Sequence, residues 1–187
     1  MRKSREEAAE TRKRIVRAAA RKFREQGIVA TGLADLMKAA GLTHGGFYKH
    51  FESKDQLVAE ACADAVDAAI AGMGMEAQPT INAAVAAYLS TRHRDDPASG
   101  CPLAAIGSEL SRTDKKTREA ATEGFKRLVA VLVGKSKTRD ARRHALVAVA
   151  TMIGAVTMSR VVTDPGLSAD ILREAKKTLM RVEPRNS

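Results

Sequence analysis

Apolar positions recur at helical intervals along almost the whole chain. Ile15, Ala19 and Phe23 lie four apart, which places them on one face of a helix over about 5–26. Ser4-Arg5-Glu6-Glu7 reads as a capping box at its start, and Gly27 ends it. Leu33, Leu36, Met37 and Ala40 form the face of a second, shorter helix. A third short helix follows Thr43, with Phe47 and Phe51 turned inward. From Ser53 a longer helix carries Leu57, Ala61, Ala65, Ala68 and Ala69 to about Ala71, where Gly72-Met73-Gly74-Met75 loosens it. Beyond that, the pattern predicts helices over about 80–93, 102–111, 114–133, 139–162 and 168–182. Gln78-Pro79-Thr80, Pro102 and Thr113-Asp114 supply starts. Asp95 to Gly100 and Lys135 to Lys137 read as loops, and Asp164-Pro165-Gly166 as a stop. No alternating β-branched runs interrupt the series, so the expected fold is all-α.

The stretch GIVATGLADLMKAAGLTHGGFYKHFESK, residues 27–54, carries the chemistry. Gly41 sits where a helix ends in a left-handed residue, and Thr43 is placed to cap the next helix with its hydroxyl. Helix, glycine turn and capped helix make a helix-turn-helix. Gly45 and Gly46 let a phosphate backbone approach closely. With Phe47 and Phe51 inward, Tyr48 and Lys49 face outward and His50 lies between the faces. These side chains donate to phosphates and reach base edges. Ser53-Lys54-Asp55-Gln56 is a capping box, and Lys54 sits in a first turn that attracts phosphate.

These residues resemble the DNA-binding domain of the TetR (tetracycline repressor) family. The resemblance spans residues 12–60 and rests on Gly27, Thr31-Gly32, Asp35-Leu36-Met37, Ala40-Gly41-Leu42-Thr43, Gly45, Tyr48-Lys49-His50-Phe51 and Lys54. Gly32 departs from it, standing where the family has a Ser or Thr that often touches phosphate; Met37 stands for the usual Ala. The resemblance implies an N-terminal three-helix helix-turn-helix domain, 1–54, and a helical effector-binding and dimerisation domain, 55–187. It implies double-stranded operator DNA, a second copy of the chain and a small-molecule effector as partners. The expected DNA contacts are Thr31, Thr43, His44, Gly45, Gly46, Tyr48, Lys49, His50 and Lys54.

Charge supports that placement. Residues 1–54 hold 13 Lys and Arg against 6 Asp and Glu, most of the chain's net +10. Arg2, Lys3 and Arg5 are candidates for a basic arm or a disordered terminus. No apolar run approaches a membrane span, and the N-terminus lacks the apolar core of a secretory signal. Cys62 and Cys101 have no metal spacing, which suits a reduced, cytoplasmic protein without a metal or cofactor. No HExxH, GxSxG or phosphate-cradling glycine loop points to an enzyme.

The 139–162 helix is apolar or small around much of its circumference, which asks for cover from a partner. Ala145, Val149, Met152, Ile153 and Val156, with Ile171, Ala175 and Leu179 of the last helix, are the expected dimer interface; an ordinary core helix is the alternative. An aliphatic effector pocket is expected among Met73, Tyr88, Cys101, Leu103, Ile106, Leu110 and Phe125. It should lie between the 53–71 helix and those starting near Thr80, Pro102 and Asp114, with Gly72–Met75 as a pivot. Cys101 before Pro102 is either an oxidant-sensing thiolate at a helix start, with His93 nearby, or a small core residue. The expected function is a ligand-released repressor. The alternatives are a thiol sensor acting through Cys101 and a helical interaction protein that does not bind DNA.

Overall fold

A computed structural model describes residues 5–72, 80–134 and 139–180. Helices run α1 Arg5–Gln26, α2 Leu33–Ala39, a 3-10 helix His44–Lys49, α3 Lys54–Gly72, α4 Ile81–Tyr88, α5 Thr91–Asp95, α6 Pro102–Leu110, α7 Lys115–Val133, α8 Arg139–Val161 and α9 Pro165–Met180. Among the described residues there is no strand. The expected arm residues Arg2 and Lys3, the cap Ser4, the pivot residues Met73 to Met75, the loop 135–137 and Val182 lie outside the described residues.

The buried residues form two cores joined by α3. The first gathers Ile15, Ala19 and Phe23 of α1, Leu36 and Met37 of α2, Phe47, Phe51, and Leu57 to Ala65 of α3. Ile106 and Leu110 of α6 close it from the other half of the molecule. The second gathers Val66 and Ile70 of α3 with Val85, Tyr88, Cys101, Leu128, Val149, Met152, Val156 and Leu172. A boundary at residue 54 therefore coincides with the start of α3, whose first three turns still belong to the N-terminal core.

Two expected helices differ. The single helix over 80–93 is broken into α4 and α5, with Ser90 capping the second through His93 N at 3.2 Å. The break turns the His93 ring inward, where Nδ1 lies 2.7 Å from the Tyr88 carbonyl and Nε2 accepts from Cys101 N at 2.9 Å. Asp164-Pro165-Gly166 opens α9 rather than standing before it: Asp164 Oδ1 accepts from Leu167 N at 2.9 Å, and Pro165 takes the first-turn position its missing N–H allows.

α8 is long and apolar enough, by length and composition, to cross a bilayer, which corrects the expectation that no segment is. It packs against α7 and α9. Ala145, Val149, Met152 and Val156, expected at a dimer interface, are buried in the chain's own second core. Ile153, Ile171, Ala175 and Leu179 are half-buried against that same core. The apolar side chains that α8 leaves exposed lie on another face: Leu146, Val147 (61%), Met158 (48%) and Val161 (64%), with Leu167 of α9 beyond them.

Candidate nucleic-acid interface and effector groove

The turn between α2 and the 3-10 helix is built on Gly41, which takes φ +71°. Leu42 N donates to Met37 O at 2.8 Å and Gly41 N to Lys38 O at 2.9 Å. This is the paired C-terminal cap that a left-handed glycine permits. Thr43 occupies the cap position in an extended conformation, but its hydroxyl makes no capping bond among the described residues. The following helix is 3-10 rather than α, with His50 N bonded to Phe47 O at 2.9 Å. Paired glycines are poor α-helix formers, and the tighter turn brings Phe47 and Phe51 into a stack with centroids 5.5 Å apart.

That packing fixes what faces out. Tyr48 is 68% exposed, its ring edge-on to Phe47, and Thr43, His44, Gly45 and Lys49 are exposed beside it. Gly46 and His50 are half-buried; a Cβ on Gly46 would meet Met37 Cε at 3.5 Å, while one on Gly45 would stand clear of the described residues. The surface offers hydroxyl, imidazole and ammonium donors around an open backbone, a set suited to phosphates and base edges.

Two of the expected contacts are engaged within the protein. Thr31 is fully buried, and its hydroxyl donates to Gly27 O at 2.6 Å. Lys54 Nζ donates to Ile28 O at 2.6 Å and to Thr31 O at 2.7 Å. Both side chains bond to backbone carbonyls at the α1–α2 loop and so help to hold it. At the start of α3, Ser53 Oγ accepts from Gln56 N at 3.1 Å, while Gln56 Oε1 reaches one residue past the expected box, to Glu52 N at 2.8 Å.

Sequence reasoning missed Arg12. One arm of its guanidinium pairs with Glu60 at 2.5 Å, the other donates to the His50 carbonyl, and its Cζ lies 4.1 Å from the Phe51 ring centroid. It ties the end of the 3-10 helix to α1 and α3. No local spacing flags a partner 38 residues away.

A wide groove of about 360 Å³ opens between α6, α7 and α8. Leu103, Gly107, Leu110 and Ser111 form one wall, Arg118, Ala121, Thr122 and Phe125 the second, and Ile153 the third. Of the expected effector residues, Leu103, Leu110 and Phe125 line it. Ile106 belongs to the N-terminal core, Tyr88 and Cys101 are closed inside the second core, and Met73 lies outside the described residues. A second cavity, of about 330 Å³ and more polar, lies among Ala69, Gly72, Ala87, Ser90, Arg92, His93, Asp96, Ser99 and Gly100. Among the described residues, none of those expected at the effector site lines this second cavity.

Cys101 caps α6 from a fully buried position against the Tyr88 hydroxyl. Burial pushes its thiol pKa up, outweighing the Tyr88 hydroxyl, the helix amides and Arg24, which all favour the thiolate. The expected positive charge from His93 is missing too, since burial lowers its pKa and keeps it neutral. Cys62 is pushed up to about 11 by the same cause. A protonated, enclosed thiol is a poor oxidant sensor. Among the described residues no three His, Cys, Asp or Glu side chains converge as a metal site.

Comparison with known proteins follows the same division of the chain. Residues 15–61 match the family described as bacterial regulatory proteins, tetR family, and residues 75–175 match the transcriptional regulator LmrA/YxaF-like C-terminal domain. The HTH-type transcriptional regulator TtgR of Pseudomonas putida is 47% identical over 58 residues, which are 31% of this chain and 28% of that protein. The HTH-type transcriptional regulator AcrR of Shigella flexneri is 46% identical over 59 residues, 32% of this chain and 27% of that one. The chain thus matches less than a third of the length of these curated relatives. A TetR-family transcriptional regulator from Cytophaga hutchinsonii superimposes with a TM-score of 0.78 at 23% identity, covering 98% of this chain and 100% of that one. A TetR regulator from Chloroflexus aurantiacus gives 0.72 at 28% identity, covering 94% and 95%.

Proposed function

The chain belongs to the TetR family of bacterial regulatory proteins, and we propose that it is a homodimeric repressor, released from a palindromic operator by a small molecule. It acts in the cytoplasm, where the DNA is, as a regulator and not as a catalyst. The observation that carries this reading is the exposed Tyr48–Lys49 pair on a rigid platform. Phe47 and Phe51 are sunk in the N-terminal core, and Arg12 clamps the far end of the 3-10 helix. A backbone anchored on both sides of the pair needs little reorganisation when it meets DNA, so more of the contact energy appears as affinity. Lys49, His44 and Thr43 address phosphates, the backbone at Gly45 admits close approach, and Tyr48 reaches base edges. Thr31 and Lys54 support this surface from within.

The effector occupies the α6–α7–α8 groove, where Leu103, Leu110, Ala121, Phe125 and Ile153 meet the polar Ser111, Arg118 and Thr122. The dimer forms over the exposed stripe of α8, Val147, Gly154, Met158 and Val161, with Leu167 of α9. A stripe of this kind on each copy makes an isologous interface, and its residues replace those first expected. Residues 1–54 and the first turns of α3 act as the DNA-reading unit, and the remainder as the effector and dimerisation unit.

The direct test is fluorescence anisotropy on duplexes drawn from the DNA beside the gene or enriched from a random pool. Tight binding that weakens linearly in log–log salt dependence is expected. A protein that retains no duplex even at about 50 mM salt is not a DNA-binding regulator.

A further inference from the structure

Glu109 lies near the C-terminal end of α6, in the effector half, yet its carboxylate is spent on the N-terminal half. Oε2 accepts from Ile28 N at 2.8 Å and from Val29 N at 2.9 Å. These are consecutive backbone amides just after Gly27, whose φ of +86° turns them toward one point. Successive N–H groups beside a left-handed residue form a cradle for an anion, and here the anion is a side chain from about 80 residues away. Gly27 also leaves space for the carboxylate: a Cβ there would meet Glu109 Oε1 at 2.6 Å, so the Glu109 side chain would have to move.

The loop is held from both sides. Its amides go to Glu109, and its carbonyls at Ile28 and Thr31 go to the Lys54 ammonium. Thr31 leads directly into α2. The start of α6 is tied to the same region, since Arg24 of α1 donates to Gly100 O at 3.1 Å. Both ends of α6 are therefore fastened to the end of α1 and the loop after it. Between them α6 leaves helical geometry at Ile106 (φ −130°, ψ 18°). One side of the helix sets Ile106 into the N-terminal core, while Leu103, Gly107 and Ser111 line the groove.

We infer that Glu109 is the positioning residue through which occupancy of the groove reaches the DNA-reading surface; this rests on the groove being the effector site. An occupant wedged against α6 shifts a helix that is already bent at Ile106. The shift draws the carboxylate off the Ile28 and Val29 amides, and the loop that orients α2 and the 3-10 helix slackens. The route runs through α6 and is separate from the covalent path along α3.

The test needs no effector, because an occupant can be built in. A Cβ at Gly107 meets no described atom within 4 Å, so Gly107→Trp puts an indole into the groove; Thr122→Trp fills it from the α7 wall and decides the matter should the first variant not fold. The readout is amide hydrogen exchange at Ile28 and Val29 in the full chain without DNA, with circular dichroism confirming the fold. Glu109→Ala should speed exchange at these amides about tenfold or more, and Glu109→Gln, which keeps an acceptor oxygen, should restore part of the protection. A groove-filling substitution should speed the same amides, and should add little on the Glu109→Ala background. Exchange left within about twofold of wild type by both filling variants overturns the inference, as does a full additional effect on top of Glu109→Ala. On a duplex enriched by the wild type, Glu109→Ala should weaken binding with an unchanged salt slope, because no phosphate contact is lost. Exchange that behaves as expected in a protein that retains no duplex would leave the coupling intact and remove the DNA reading; a duplex bound tightly with exchange unmoved by filling would do the reverse.

Discussion

Lys49 and Lys54 have the same side chain five positions apart, and the structure gives them opposite tasks. Lys49 is exposed beside Tyr48, whereas Lys54 spends two of its three donors on the carbonyls of Ile28 and Thr31. Lys49→Ala should reduce the slope of log affinity against log salt by about one per subunit with little change in melting temperature. Lys54→Met should do the converse: the slope stays, and the fold loses about 1–3 kcal/mol for buried carbonyls left without a donor. Equal slope changes in the two variants would refute this division. The outward pair was legible from sequence because Phe47 and Phe51 define the inward face by spacing alone. The fate of Thr31 and Lys54 was not, because their partners are backbone groups of a loop whose path depends on Gly27. Gly32 offers a gain: it caps α2 in an extended conformation without a side chain, and a Cβ there meets only Asp35 Oδ2 at 3.4 Å. Gly32→Ser should add a few tenths of a kcal/mol of stability and tighten duplex binding, as measured by melting and anisotropy. His93 supplies a pH test. Burial lowers its pKa below the ordinary 6.5, so the unfolded chain binds the proton more readily than the folded one. Stability from this group is full above that value and is lost as pH falls from it toward the depressed folded pKa. Melting temperature should drop through that window, and His93→Gln should flatten the drop; an equal drop in the variant would show that another group is responsible.

At the scale of elements, α1, α6, α7 and α8 follow the bounds read from sequence closely because glycine, proline and capping residues mark most of their ends. The 80–93 segment was misread because its break is made by tertiary contacts: the His93 ring bridges Tyr88 O and Cys101 N, and a continuous helix could not place it there. α8 shows the limit of apolarity as a guide. The sequence announces a helix apolar on several sides but not which side its own chain covers; α7 and α9 decide that. The two faces should therefore respond differently. Met152→Ala, in the core, should cost about 2–5 kcal/mol. Val147→Glu and Met158→Glu should leave the helical signal in place and convert dimer to monomer in sedimentation. A wild-type chain that sediments as a monomer at micromolar concentration, or glutamates that leave the dimer intact, would put the interface elsewhere.

The whole molecule joins a strongly basic head to the body on which the dimer is proposed, and the geometry of that pair is itself measurable. Most of the net +10 lies in residues 1–54, so charge alone would let a single head hold any duplex weakly. Specific binding requires two heads in fixed register, because phosphate contacts position a protein and sequence information comes only from the few side chains that reach bases. One Tyr48–Lys49 surface carries too few base contacts to select a site, whereas two such surfaces about one DNA turn apart square the discrimination. In the proposed dimer that register comes from the body through α8, while Glu109 of α6 bonds the Ile28 and Val29 amides of the head in each chain. Inserting about 5 base pairs between the halves of an enriched duplex rotates one half-site to the far side of the helix, out of reach of a rigid dimer. Wild-type affinity should then fall to that of a single half-site. The Val147→Glu, Met158→Glu double variant should bind the original and the lengthened duplex equally, and both weakly. Wild-type binding that ignores the insertion would mean that the heads are not held in register, and a specific repressor built on this dimer would fail with it.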